Sequence, residues 1–282
     1  MTVTGKARIA GVMGWPIAHS RSPLIHGHWL ERYAIDGAYV PFGVRPEDGA
    51  AALRALPKLG FAGTNVTLPH KVTAFETVDV RDAAATAIGA VNTVVVQPDG
   101  SLAGSNTDAP GLLAHLQAAA PTWRAGAEPA AVLGAGGSTR AALFALLEAG
   151  VPEIRLANRT REKAEALAAA FGPKVTAVDW AERSEMLAGC GLLANTTSLG
   201  MAGQPPLDIA LEDMPEGAVV YDIVYVPLET PLLAAARARG LGVVDGLGML
   251  LHQAVPGFAA WFGRTPEVDA DLRAVVLKDL AP

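Results

Sequence analysis

Cysteine is almost absent: Cys190 is the only one in 282 residues. That excludes an intramolecular disulfide framework and a cysteine-rich zinc site, and it fits a reducing compartment. Basic charge is also in short supply. Lys and Arg number 22 against 28 Asp and Glu, a formal net charge of −6. A chain of that sign has no whole-surface electrostatic grip on nucleic acid or anionic lipid. Long apolar runs are missing as well. The segment Ile9–Ala18, preceded by Lys6 and Arg8, is broken by Gly11, Gly14 and Pro16, so it reads as a short buried strand ending in a turn rather than a signal peptide. Residues 246–263 carry no formal charge, but they include His252, Gln253 and Pro256 and read as buried helix lining a site, not a membrane span.

What is present is a globular composition. Hydrophobic residues make up 51%, and the 30 glycines and 20 prolines fall below the roughly one quarter or more of a low-complexity chain. At about 150 residues per domain the length predicts two domains.

From residue 130 the pattern is strand and helix in alternation. Strands are expected at Ala130–Leu133, Ile154–Ala157, Val175–Val178, Gly191–Asn195, Ala218–Ile223 and Leu241–Val244, with helices at 138–149, after Thr160 as N-cap, and near 180–189 and 230–239. Six strands with helical crossovers is the count of a doubly wound dinucleotide-binding domain. The first hundred residues form a second α/β unit. Its strands are expected near 8–13, 38–42, 61–66 and 90–96, with a short return strand at 101–103, and its helices near 23–34, 46–56 and 70–76. The boundary falls near Asn106–Pro110, and the chain beyond Asp245 is helical and expected to pack back onto the first domain.

Gly134-Ala135-Gly136-Gly137-Ser138-Thr139-Arg140 follows an apolar strand and opens a helix, the setting in which glycine backbone approaches a pyrophosphate; Thr139 replaces the usual third glycine. An NAD-binding domain places Asp or Glu about 20 residues farther on, to bond the ribose 2′-hydroxyl. Here that place holds Asn158, followed by Arg159, Thr160, Arg161 and Lys163, which suits a 2′-phosphate and favours NADP.

Polar clusters interrupt the apolar first domain: Ser20-Arg21-Ser22-Pro23, Asn65 to Lys71, Asn92-Thr93 and Asn106-Thr107-Asp108. Ser22 before Pro23 is also a plain N-cap pattern, and Asp108 before Pro110 is also a helix cap. Asn65 and Thr67, at spacing i and i+2, point to one side at a strand end, where open α/β sheets bind ligands. Only six basic residues are lysine, and Lys71 sits in this apolar, proline-bounded segment. A lysine can give or take a proton where an arginine cannot, although a solvated surface lysine fits the same position. His26 and His28 lack a third ligand at metal-binding spacing.

Nine ordered segments then resemble the shikimate dehydrogenase family over nearly the full length. They are Ile17–Pro23, Asn65–Lys71, Gly89–Thr93, Asn106–Asp108, Gly134–Arg140, Asn158–Thr160, Asn195–Met201, Tyr221–Tyr225 and Asp245–Leu250 leading to Gln253. The resemblance implies an N-terminal α/β substrate domain (1–107 with 247–282) and a Rossmann-type domain binding NADP(H) (108–246), with the C-terminal helices returning to the substrate domain. It implies NADPH-dependent reduction of 3-dehydroshikimate to shikimate on the route to chorismate and the aromatic amino acids. Lys71 and Asp108 would be the catalytic pair. Ser20 and Ser22 would hold the substrate carboxylate, and Asn65, Thr67, Asn92, Tyr225 and Gln253 would line the site of the ring hydroxyls. The cofactor would meet Gly134, Ala135, Gly136, Gly137, Ser138, Arg140, Asn158, Arg159, Thr160, Lys163, Ile223 and Gly246. Ser138 stands where the family commonly has alanine, and Lys163 where some members have a second phosphate-binding arginine. A quinate or dual-specificity dehydrogenase using NAD(P) and a non-catalytic NADP- or shikimate-binding regulator are the competing readings. The expectation is a cytoplasmic monomer or homodimer acting on a small molecule, without metal, nucleic acid or membrane.

Overall fold

A computed structural model describes residues 3–280. The chain divides into two compact units, Met1–Asp108 with Leu251–Pro282, and Ala109–Leu250. Compared with the expected boundaries, Asp108 joins the first unit and residues 247–250 join the second. Side-chain bonds to Lys71 and Asn92 hold Asp108 in the first. Gly248 lies so close to His115 that a Cβ there would stand 2.0 Å from the ring, which fixes it in the second.

The first unit is built on a mixed six-stranded sheet of β1 (Arg8–Gly14), β2 (Gly37–Gly43), β3 (Phe61–Val66), β4 (Val80–Arg81), β5 (Thr93–Val96) and β6 (Leu102–Ser105), in spatial order β2-β1-β3-β5-β6-β4. Strand β1 runs parallel to β2 and β3, while β5 is antiparallel to β3 with Asn65 opposite Thr93. One face packs Met13, Leu53, Val66, Val91, Val94 and Leu102 into a core. Against the other lie the helices Ser22–Arg32 and Ala254–Phe262, whose Trp29, Phe258 and Trp261 are fully buried. Gly63 makes the second contact possible. A Cβ there would sit 2.2 Å from the indole nitrogen of Trp261, which instead donates to the Val94 carbonyl at 3.0 Å. Truncating such a tryptophan costs about 3–5 kcal/mol.

The second unit has six parallel strands, β7 (Ala130–Leu133), β8 (Ile154–Ala157), β9 (Val175–Val178), β10 (Leu192–Asn195), β11 (Val219–Asp222) and β12 (Gly242–Val244), in the order β9-β8-β7-β10-β11-β12. This is the doubly wound arrangement, and its strand order reverses between β7 and β10, the place where such sheets bind ligands.

Several local expectations change. The helix expected near 46–56 divides into a 3-10 turn, Pro46–Asp48, and an α-helix, Gly49–Ala55. That expected at 180–189 is two 3-10 turns, Trp180–Glu182 and Glu185–Leu187, separated where Arg183 turns away to Asp208. Strand β5 starts at Thr93 because the backbone of Val91 bonds to Lys71 instead of a strand. Additional elements are the 3-10 turn Pro57–Leu59, β4, and the helix Ala83–Ile88, which Asp82 caps through the Ala85 amide. Thr160 stands at the N-cap position of Arg161–Phe171 but makes no side-chain cap. Among the described residues no helix is long and apolar enough to cross a membrane, and no three His, Cys, Asp or Glu side chains gather to hold a metal.

Candidate active site

In the first unit the polar residues converge at the ends of β3 and β5. Lys71 opens the helix Lys71–Thr77, and its Nζ lies 2.8 Å from Asp108 Oδ2. Asp108 is the first residue of the helix Asp108–Ala119, where the helix dipole favours a carboxylate. Its side chain caps nothing. Oδ2 takes the ammonium, and Oδ1 accepts from Asn92 Nδ2 at 2.9 Å. The Lys71 and Asp108 side chains keep 29% and 18% of their exposure, so the pair is sheltered yet reachable.

Behind this pair lies a buried polar network. Asn92 Oδ1 accepts from the Thr107 amide at 2.8 Å and from the hydroxyls of Thr107 and Thr93, both at 3.1 Å. Asn65 Nδ2 donates to the Asn92 carbonyl and to Thr93 Oγ1, at 3.2 and 3.0 Å. Tyr39, which the sequence reading did not single out, donates its hydroxyl to Asn65 Oδ1 at 2.6 Å. Burial pushes the Tyr39 phenol well above its usual pKa, so it stays a neutral donor. His26 stacks on Tyr39 with ring centroids 3.9 Å apart, and burial pulls its pKa down to about 3.

Ser22 is the first residue of its helix, not the cap; Arg21 takes the cap position, and the Ser22 amide points to Ser20 Oγ at 3.4 Å. Thr67 continues β3 by bonding the Met13 carbonyl through its amide at 2.9 Å. Gln253, half-buried in the first unit, joins the helices Leu247–His252 and Ala254–Phe262. Tyr225 belongs to the second unit, half-buried just beyond β11.

The glycine loop of the second unit follows β7 at the switch point. Gly134 has φ +121°, and a Cβ there would meet the hydroxyls of Thr196 and Thr139 at 2.7 and 2.8 Å. Gly136 and Gly137 are different: nothing of the protein lies within 4 Å of a Cβ placed on either, so their absent side chains leave room on the outside of the loop. With Ala135, Ser138 and Arg140 they open the helix Gly137–Glu148, whose first amides have no intrahelical partner. This open, donor-rich backbone fits a dinucleotide pyrophosphate.

After β8, Asn158 Nδ2 donates to the Thr160 carbonyl at 2.8 Å and shapes the turn. The three cations that follow are not equivalent. Arg161 is neutralised by Glu165, at 2.8 Å, and by Asp179. Arg159 and Lys163 are exposed and have no ion-pair partner among the described residues, so they fit a 2′-phosphate. Near the end of β11, Gly246 has no space for a side chain, since a Cβ would stand 2.0 Å from the Ile223 carbonyl oxygen. The loops here are held by buried Asp222, which accepts from Asn195 Nδ2 at 3.0 Å, Thr230 Oγ1 at 2.7 Å and the Val224 amide at 3.1 Å. Burial is the main influence on its pKa and raises it. Asn195 and Asp222 lie within segments that carry the resemblance, but their pairing spans 27 residues and left no local signal.

Three family models match successive parts of the chain: the shikimate dehydrogenase substrate binding domain over residues 12–94, shikimate / quinate 5-dehydrogenase over 119–199, and the shikimate 5′-dehydrogenase C-terminal domain over 246–276. A relative from Paramagnetospirillum magneticum, named shikimate dehydrogenase (NADP(+)), is 60% identical over 275 residues, covering 98% of this chain and 100% of its own. The crystal structure of shikimate 5-dehydrogenase from Thermus thermophilus in complex with NADP(H) and shikimate is 38% identical, with a TM-score of 0.84 and 96% and 99% coverage of the two chains. Quinate dehydrogenase from Corynebacterium glutamicum in complex with NAD is 30% identical, with a TM-score of 0.88 and the same coverages. This chain belongs to the shikimate/quinate dehydrogenase family.

Proposed function

We propose that the protein catalyses the reversible NADPH-dependent reduction of 3-dehydroshikimate to shikimate, on the route to chorismate and the aromatic amino acids. The observation that carries this reading is the Lys71–Asp108 pair at 2.8 Å, sheltered and braced by Asn92, in a chain with a 60% identical relative named for that activity.

NADPH, when bound, supplies the hydride. The chain's own residues supply position and charge. Negative charge develops on the ketone oxygen as it is reduced, and Lys71 Nζ is the donor suited to stabilise it and pass it a proton. Asp108 fixes the ammonium, while Asn92 fixes Asp108. Ser20 and Ser22 hold the substrate carboxylate; Asn65, Thr67, Asn92 and Gln253 line the ring hydroxyls. Gly134 to Ser138 with Arg140 receive the pyrophosphate, and Asn158, Arg159, Thr160 and Lys163 the adenosine 2′-phosphate. Ile223 and Gly246 complete the cofactor site.

The similarity to a quinate dehydrogenase keeps a second reading in view, a quinate or dual enzyme using NAD(P). The unpaired Arg159 and Lys163 favour NADP, since a bare ribose gives them no anion to bind. A pure binding regulator has no need of the Lys71–Asp108 pair. The reading further holds that the enzyme is a cytoplasmic monomer or homodimer without nucleic-acid or membrane partners. An absorbance assay with shikimate and NADP is its test: turnover supports the reading, and none with folded protein refutes it.

A further inference from the structure

Four polar groups under the glycine loop form a chain whose proton directions are fully determined. The Leu133 carbonyl can only accept, so Thr196 Oγ1, 2.6 Å away, must donate to it. The Gly136 amide can only donate, so Thr139 Oγ1 at 3.0 Å must accept from it. The two hydroxyls lie 2.7 Å apart. Thr196 has already spent its proton, and Thr139 therefore donates to Thr196. The sequence of donors is Gly136 N–H to Thr139 O–H to Thr196 O–H to the Leu133 oxygen, three bonds that polarise one another in the same direction.

Its surroundings make it a device rather than a chance contact. Thr139 is fully buried and Thr196 is 8% exposed. Gly134, having no side chain and a positive φ, lets both hydroxyls close over it. The Leu133 carbonyl also accepts the Thr196 amide at 3.0 Å, which ties the end of the chain to the pairing of β7 with β10. The threonine at the third position of the glycine pattern thus has work that a glycine could not do.

We infer that Thr139 and Thr196 are positioning residues for the dinucleotide: acting as one unit, they hold Gly136 inward, so that the amides of Gly137 and Ser138 meet the pyrophosphate. This deepens the NADP reading above and rests on it. The 2′-phosphate site around Arg159 and Lys163 takes no part in the chain, so the effect is confined to the pyrophosphate end of the cofactor.

The experiment is equilibrium titration of NADP binding by intrinsic fluorescence, alongside steady-state kinetics, on Thr139→Val, Thr139→Ser, Thr196→Val and the Val/Val double variant, with adenosine 2′-monophosphate, which lacks the pyrophosphate, as competitor in both; the Kd for NADP should move in step with its KM. Each single Val substitution is expected to raise the KM for NADP about tenfold. The double variant should be no worse than either single one, because both break the same chain. Thr139→Ser should stay within about twofold of wild type, and the inhibition constant of adenosine 2′-monophosphate and the KM for shikimate should be unchanged. An unchanged KM for NADP in Thr139→Val overturns the inference. So does equal weakening of adenosine 2′-monophosphate, or a Ser variant as impaired as the Val variant. Failure of wild-type protein to bind either nucleotide would instead refute the NADP reading itself.

Discussion

Asn92 Nδ2 donates to Asp108 Oδ1 at 2.9 Å while Lys71 Nζ occupies the other oxygen of the same carboxylate. Asp108 is therefore held from both sides, and the ammonium is aimed by a group that cannot rotate without losing two bonds. Charge-assisted bonds of this kind are roughly twice as strong as neutral ones.

Removing either member of the pair should cost catalysis and spare the cofactor. Lys71→Ala and Asp108→Ala are each expected to lower kcat at least about 100-fold, the low end of acid–base contributions, with NADP affinity preserved. Titration of NADPH fluorescence alongside single-turnover rates checks both halves. Near-normal turnover in both variants would remove the pair from the chemistry.

The cations after β8 should separate by their partners. Arg159→Ala is expected to raise the KM for NADP about tenfold or more and to leave that for NAD nearly unchanged, a loss of the size of one charge-assisted contact. Arg161, already neutralised by Glu165 and Asp179, should show a much smaller effect when replaced by Ala. Equal effects of Arg159→Ala on the two cofactors would argue against 2′-phosphate recognition.

Buried His26 gives the first unit a predictable acid sensitivity. Its pKa falls from 6.5 to about 3 on folding, chiefly through burial, with the Asn65 side chain offsetting part of the shift. The unfolded chain thus binds more protons than the folded one between those values, and stability falls as pH drops below 6.5 toward 3. At about 1.4 kcal/mol per pH unit the loss reaches roughly 3 kcal/mol near pH 4. His26→Phe keeps an aromatic ring against Tyr39 and removes the titration, so its urea midpoint should fall less steeply over that range. Parallel acid limbs for the two proteins would contradict the assignment.

Much of this is legible in the amino-acid sequence. The six-strand alternation after residue 130 came from periodicity and glycine punctuation, both local signals. Lys71 stood out because lysine is scarce and because Asn65 and Thr67 share its segment. What escaped depends on distant contacts. Tyr39 reaches Asn65 across the sheet, Thr139 and Thr196 are 57 residues apart, and the neutralisation of Arg161 needs Asp179 from the next strand–helix connection. Strand β4 escaped for another reason: two residues, Val80 and Arg81, cannot show an alternation.

The most direct test is to compare kcat/KM for shikimate and quinate, each with NADP and with NAD, on the wild-type protein. The account predicts the largest value for shikimate with NADP, and a larger value for quinate with NAD would contradict it.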